Sequence, residues 1–98
     1  MRLIWDEQSA IDLDEIWEYI ARDSVAAANR VFVRLRTGVD HLAAHPEMGR
    51  KGRIEGTREF VYSDLPYIAV YAVSETRQTV MILRIVHTAR FYPPRTKR

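Results

Sequence analysis

The hydrophobic pattern of this chain changes period once, near its middle, and that change restricts the fold more than any other feature. Before it, apolar side chains recur every three or four residues. Ala10, Leu13, Ile16, Trp17 and Ile20 share one helical face, while Asp12, Asp14, Glu15 and Glu18 line the remaining surface, so the spacing predicts a helix over about 7–22. Asp6-Glu7-Gln8-Ser9 supplies polar and acidic groups where a helix N-terminus favours them. Ser24 can cap a second helix, whose stripe Ala28, Val31, Phe32, Leu35, Val39 and Leu42 carries it to about residue 44. His45-Pro46 stops it, because a residue before proline is pushed out of the α region. After the change, Arg58–Tyr62, Tyr67–Val73 and Thr79–Val86 are short runs rich in β-branched and aromatic residues. Short turns at 64–66 and 74–78 make them antiparallel neighbours. Residues 2–5 (RLIW) form one further strand.

The expected fold class is therefore α+β. An N-terminal strand precedes an antiparallel two-helix hairpin, and a three-stranded antiparallel meander follows. The helices cover one face of a small, mostly antiparallel sheet. A chain of 98 residues is one domain's worth, and no repeat or linker divides it. With 47% hydrophobic and 29% charged residues it has the composition of a packed globular protein. Residues 46–57 (PEMGRKGRIEGT) read as a basic loop, and 91–98 as an extended tail.

Several chemistries are excluded early. Without cysteine there is no disulfide scaffold, thiolate metal site or cysteine nucleophile. His41 and His45 stand four apart at a helix end, but His87 is distant and no acidic motif completes a metal set. No phosphate loop or dinucleotide fingerprint is present, so no cofactor is expected. The apolar stretches are strand-sized, and MRLIWDEQSA lacks the pattern of an export signal; a cytoplasmic protein with no membrane partner is the expectation.

Charge is distributed unevenly. Residues 1–47 hold nine acids and five bases; residues 48–98 hold four acids and ten bases. Thirteen of the fifteen basic residues are arginine, the planar bidentate partner of phosphate and carboxylate. The basic half thus calls for an anionic partner, nucleic acid or an acidic protein segment.

Candidate site residues cluster at the end of the last strand and in the basic loop. Arg84 interrupts the apolar run Val80–Val86, so it must pair, with Glu59 as one choice, or face an open groove. His87 can move a proton near neutrality. Strand alternation points Arg84 and His87 to opposite faces, so a shared site needs a bulge or a strand end. Glu55 and Glu59 are candidate bases by proximity in sequence alone.

The segments DLDEIWEYIAR (12–22), LAAHPEMGR (42–50), GRIEGTREFVYSDLPYIAVYAV (52–73) and ILRIVHTAR (82–90) together resemble the RelE/ParE superfamily, the toxins of bacterial type II toxin–antitoxin modules, also called plasmid-stabilisation proteins. The resemblance runs from about residue 2 to 94. It implies a growth-inhibiting toxin held inactive by a co-encoded antitoxin, which wraps it with a partly disordered segment and carries the complex to promoter DNA. An acidic antitoxin segment would be drawn to the Arg-rich half.

The superfamily divides by target. RelE-like members cut mRNA on the ribosome without metal. On that reading Arg50, Lys51, Arg53 and Arg90 hold RNA phosphate, Arg58 and Arg84 stabilise transition-state charge, His87 is the general acid and Tyr92 stacks on a base or orients the substrate. Ile68 stands where many RNases of the family carry arginine, and no glutamate near Gly52 matches the base of some members. ParE-like members inhibit DNA gyrase without that catalytic set, and DLDEIWEY, HPEMG and LRIVH resemble them too. The retained Arg84, His87, Arg90 and Tyr92 favour RNA cleavage. Gyrase inhibition is the alternative, and a degenerate toxin that only binds antitoxin is the third reading.

Overall fold

The computed structural model describes residues 1–89. In order these form β1 (Arg2–Trp5), α1 (Glu7–Ala21), α2 (Val25–Gly38), 3₁₀ turns at Asp40–Ala43 and Pro46–Met48, β2 (Arg50–Lys51), β3 (Arg58–Val61), β4 (Tyr67–Ser74) and β5 (Thr79–His87). The five strands make one sheet in the order β1-β5-β4-β3-β2. The meander is antiparallel, as its short turns require. The sheet as a whole is mixed, because β1 lies parallel to β5, with Arg2 opposite Thr79 and Trp5 opposite Ile82. The crossover from β1 to β5 carries both helices, which gives a parallel pair the long connection it needs.

The helices cover one face of this sheet. Leu13, Leu35, Val39 and Leu42 pack against Tyr62, Tyr67, Ala69, Tyr71, Val80, Ile82 and Ile85. Ser24 caps α2 as expected, accepting the Ala27 N–H at 3.0 Å. Asp6 occupies the N-cap position of α1 without a side-chain cap bond; Ser9 Oγ donates to its carbonyl instead, at 2.6 Å. Ser9 is thereby buried, and Ala10, expected on the apolar face, is exposed. The helical rotation sets Ser9, Asp12, Leu13 and Ile16 inward. The second helix ends at Gly38, not near 44, and continues as a 3₁₀ turn that still buries Leu42. A Cβ at Gly38 would lie 2.6 Å from the Tyr62 ring, so this close approach needs glycine. The segment read as loop 46–57 contains a 3₁₀ turn and the two-residue strand β2, too short to leave a periodic signal.

Tyr62 joins the sheet to α2. Its hydroxyl donates to the Leu35 carbonyl from a buried position. Burial pushes its pKa well above the ordinary 10.0; the Arg34 guanidinium opposes this in part, and Asp40 adds to it. The folded protein therefore keeps a proton that the unfolded chain loses. This contribution is complete below pH 10.0 and drains away as pH rises beyond it. Alkaline urea titrations should show stability falling more steeply above that pH in the parent protein than in Tyr62→Phe. Parallel slopes would refute the linkage.

The last strand carries the irregularity that shapes the site. Ile82 pairs with Tyr71 and Arg84 with Val70, so Leu83 is an extra residue, a β-bulge. Uninterrupted alternation from Val80 and Ile82 would place Arg84 in the core. The bulge places Ile85 there instead and turns Arg84 away.

Candidate functional site

β1 covers β5 only as far as Ile82, so among the described residues the second half of β5 has a sheet edge without a strand beside it. Helix α1 crosses at this edge. The Asp12 carboxylate, almost fully buried, accepts the Ile85 N–H at 2.9 Å and Arg84 Nε at 2.9 Å through Oδ2. Oδ1 accepts Gln8 Nε2 at 3.0 Å and lies 3.4 Å from an Arg84 terminal nitrogen. One carboxylate thus satisfies a strand N–H, half-neutralises a guanidinium and fixes the helix to the sheet. Arg84 does pair, but with Asp12 and not with Glu59.

Beside this clasp lies a groove of about 910 Å³ between α1 and the end of β5. Arg84 and His87 both line it, because Arg84 folds over the strand edge toward α1. The His87 ring meets Tyr67 edge-on, with centroids 5.3 Å apart. His87 Nδ1 accepts the Ala89 N–H at 3.0 Å, which leaves the proton of the neutral ring on Nε2.

The basic loop is organised by Glu59, whose side chain is 1% exposed. Oε1 accepts Arg50 Nε at 2.9 Å and Nη2 at 2.8 Å; Oε2 accepts the Arg53 N–H at 3.1 Å, with Arg53 Nε at 3.8 Å. Arg58 donates to the carbonyls of Gly49 (3.0 Å) and Glu47 (2.8 Å). Tyr71 completes the clamp: its hydroxyl donates to Pro46 C=O at 2.7 Å and accepts Gly49 N–H at 2.8 Å. Lys51 is exposed, Glu55 is exposed, and Ile68 is buried at 4% exposure. The structure therefore makes two centres from the candidate residues: Arg84 with His87 in the groove, and Arg50, Lys51, Arg53 and Arg58 around β2. Arg90 and Tyr92 lie outside the described residues. Among the described residues no group of three or more metal-ligating side chains converges. No helix there is long and apolar enough to cross a membrane.

This architecture is shared with known proteins. A solved chain from the chromosomal ParDE toxin–antitoxin system of P. aeruginosa superimposes with a TM-score of 0.79 at 27% identity, covering 89% of this chain and 95% of that one. Toxin RelE2 of Caulobacter vibrioides is 38% identical over 89 residues, 91% of this chain and 97% of its own. The protein Y4kP of Sinorhizobium fredii is 44% identical over 92 residues, 94% of this chain and 93% of its own. The family model for the ParE toxin of the type II toxin–antitoxin system parDE matches residues 3–92. The chain belongs to the ParE toxin family.

In this ParE-family toxin the residues that sequence reasoning missed are Asp12, Gln8 and Tyr71. Asp12 had a signal in retrospect. It falls beside Leu13 and Ile16 on the face of α1 that turns inward, and a buried carboxylate requires a cation. Tyr71 had none, since a hydroxyl that clamps a loop reads in sequence as one more aromatic of a core strand. Family membership also implies a cognate antitoxin as the toxin's partner.

Proposed function

We propose that this toxin arrests growth by binding and inhibiting DNA gyrase, with no catalytic chemistry of its own. One observation carries the reading. Among the described residues, the candidate arginines of an RNA-cleaving site are engaged within the protein: Arg84 by Asp12, Arg58 by two backbone carbonyls, Arg50 and Arg53 by Glu59. A phosphoryl-transfer site needs cations directed at the place where charge develops, already oriented before the reaction. Ile68 agrees with this, being buried at the position that resembles the one where many RNases of the family carry arginine. The parDE name of the matching family points the same way.

A second reading keeps ribosome-dependent, metal-independent mRNA cleavage. It is favoured by one fact, that Arg84 and His87 line the same groove beside Tyr67. There His87 Nε2–H would protonate the leaving 5′-oxygen and Arg84 would face the phosphorane.

Induction of the toxin without antitoxin, followed by parallel labelling of DNA and protein synthesis, separates the two. DNA synthesis should fail first, purified toxin should block gyrase supercoiling, and His87→Ala should inhibit as well as the parent. Loss of protein synthesis within minutes, with supercoiling untouched and His87→Ala inactive, would establish cleavage instead. If neither synthesis falls, the chain is a degenerate toxin that retains antitoxin binding alone.

A further inference from the structure

Among the described residues the sheet has two edges, and they differ. One is β2, two residues long, exposed and basic at both positions, so it repels a copy of itself. The other is β1. The Arg2 N–H donates to Gln78 C=O and the Asp6 N–H to Ile82 C=O, both at 2.9 Å. Alternation along a parallel pair then turns the N–H and C=O groups of Leu3 and Trp5 the other way, off the sheet. Natural proteins blunt such an edge with lysine, proline or a bulge. RLIW has no lysine or proline, and its register with β5 is unbroken from Arg2 to Trp5. Leu3, Ile4 and Trp5 are all only half-buried.

The sequence of this edge complements itself when reversed. In an antiparallel pair of β1 strands centred on Ile4, Arg2 stands opposite the partner's Asp6, and Leu3 opposite the partner's Trp5. Asp6 is still extended, with φ −67° and ψ 157°, so the pairing can reach it. Leu3 and Trp5 then exchange backbone hydrogen bonds through their outward groups. The Arg2–Asp6 and Ile4–Ile4 pairs fall at the non-hydrogen-bonded positions, where side chains come closest. Leu3 and Trp5 pack against the helix-covered core, so alternation puts Arg2, Ile4 and Asp6 on the opposite face. There two pairs of opposite charge flank an isoleucine pair, and Met81, beside Ile4, extends the apolar strip on each side. The next registers that keep the outward groups paired lose this match: one sets Ile4 against Asp6, the other Arg2 against Ile4.

We propose that two copies of the toxin pair antiparallel through β1, joining their sheets into one across a two-fold axis at Ile4. The pairing covers the edge that carries no protection and leaves the basic β2 as the outer strand at both ends. Each copy contributes one four-residue strand, so the dimer is weak, with a Kd of roughly 10 µM. The proposal rests on the place of β1 in the sheet and not on which target the toxin attacks.

The test is sedimentation equilibrium of the purified toxin from about 1 to 200 µM, a range that brackets this Kd. The mass should rise from 11.5 kDa toward twice that value. Arg2→Asp and Asp6→Arg should each raise Kd by roughly tenfold, because each sets like charges opposite one another at both ends of the pair. An equimolar mixture of these two variants should dimerise as the parent does, since each supplies the charge that the other has lost. Arg30→Glu on the exposed side of α2 should leave Kd within about twofold. Circular dichroism checks that each variant is folded. The chain has no cysteine, so Ile4→Cys should yield a disulfide-linked dimer on mild oxidation, its two Cα atoms standing about 4.5 Å apart across the axis. Val33→Cys, exposed on α2, should not. A monomer at every concentration overturns the proposal. So does a dimer that the single charge variants leave intact, or one that their mixture fails to restore. A monomer whose affinity for antitoxin falls with Arg2→Asp gives the edge to the antitoxin and overturns it too.

Discussion

Asp12→Ala should lower the melting temperature by about 15 °C. The change leaves the Ile85 N–H without its acceptor at a buried strand edge and strips Arg84 of its counter-ion. An unsatisfied buried donor costs about 1–3 kcal/mol, and a charge-assisted hydrogen bond contributes about as much. We take about 3 kcal/mol for the pair, since Arg84 is partly exposed and water recovers some of its share. Each kcal/mol is worth about 4–8 °C for a domain of this size. Arg84→Ala should be milder, about 1 kcal/mol, because Asp12 then keeps Ile85 and Gln8 as donors. Asp12→Asn should fall between, keeping an acceptor and losing the charge. Thermal melts of the three variants check the order. If Asp12→Ala melts within 3 °C of the parent, on the order of the smallest shift this argument allows, the carboxylate is not what closes the edge of β5.

Gly49→Ala should destabilise the protein by about 3 kcal/mol, seen as a lower urea midpoint. A Cβ there would lie 2.5 Å from the Tyr71 hydroxyl and 2.7 Å from the Glu59 carbonyl oxygen. Neither can retreat. Tyr71 is fully buried, and its hydroxyl is fixed between Pro46 and Gly49; the Glu59 carbonyl belongs to the β3 backbone. Gly56→Ala is the contrast. Its φ of +84° disfavours a side chain, but nothing lies within 4 Å, so the loss should be about 1 kcal/mol. Combining Gly49→Ala with Tyr71→Phe should cost less than the two changes added together, because phenylalanine removes the hydroxyl that alanine strikes. Full additivity in urea titrations would mean that the Tyr71 contact is not the source of strain.

The elements that could be read from sequence are those whose signals are periodic or local. The helices announced themselves through three- and four-residue spacing and the Ser24 cap, and the meander through alternating β-branched runs with short turns between them. What could not be read depends on contacts remote along the chain. The parallel pairing of β1 with β5 has no local marker. β2 is two residues long and exists because Arg50 meets Glu59 across the sheet. For the site, the oddity of Arg84 was visible as a charge within an apolar run, but its partner was not, being 72 residues away. The expectation that Arg84 and His87 need a bulge or a strand end to share a site has a physical counterpart in β5 running past the end of β1. The bulge at Leu83 leaves no trace in sequence, because the run Val80–Val86 is apolar on both sides of it.

The placement of β1 also orders events in time. Its four residues precede every other element of the fold, yet among the described residues their only strand neighbour, β5, begins at Thr79. Until that last strand emerges, Leu3, Ile4 and Trp5 have no sheet to join, and α1 has no edge for Asp12 to close. Closing the sheet therefore joins the two most distant strands of the chain, a contact of high sequence separation that comes late and slowly. A ribosome carrying a chain that stops short of β5 holds no assembled α1–β5 groove.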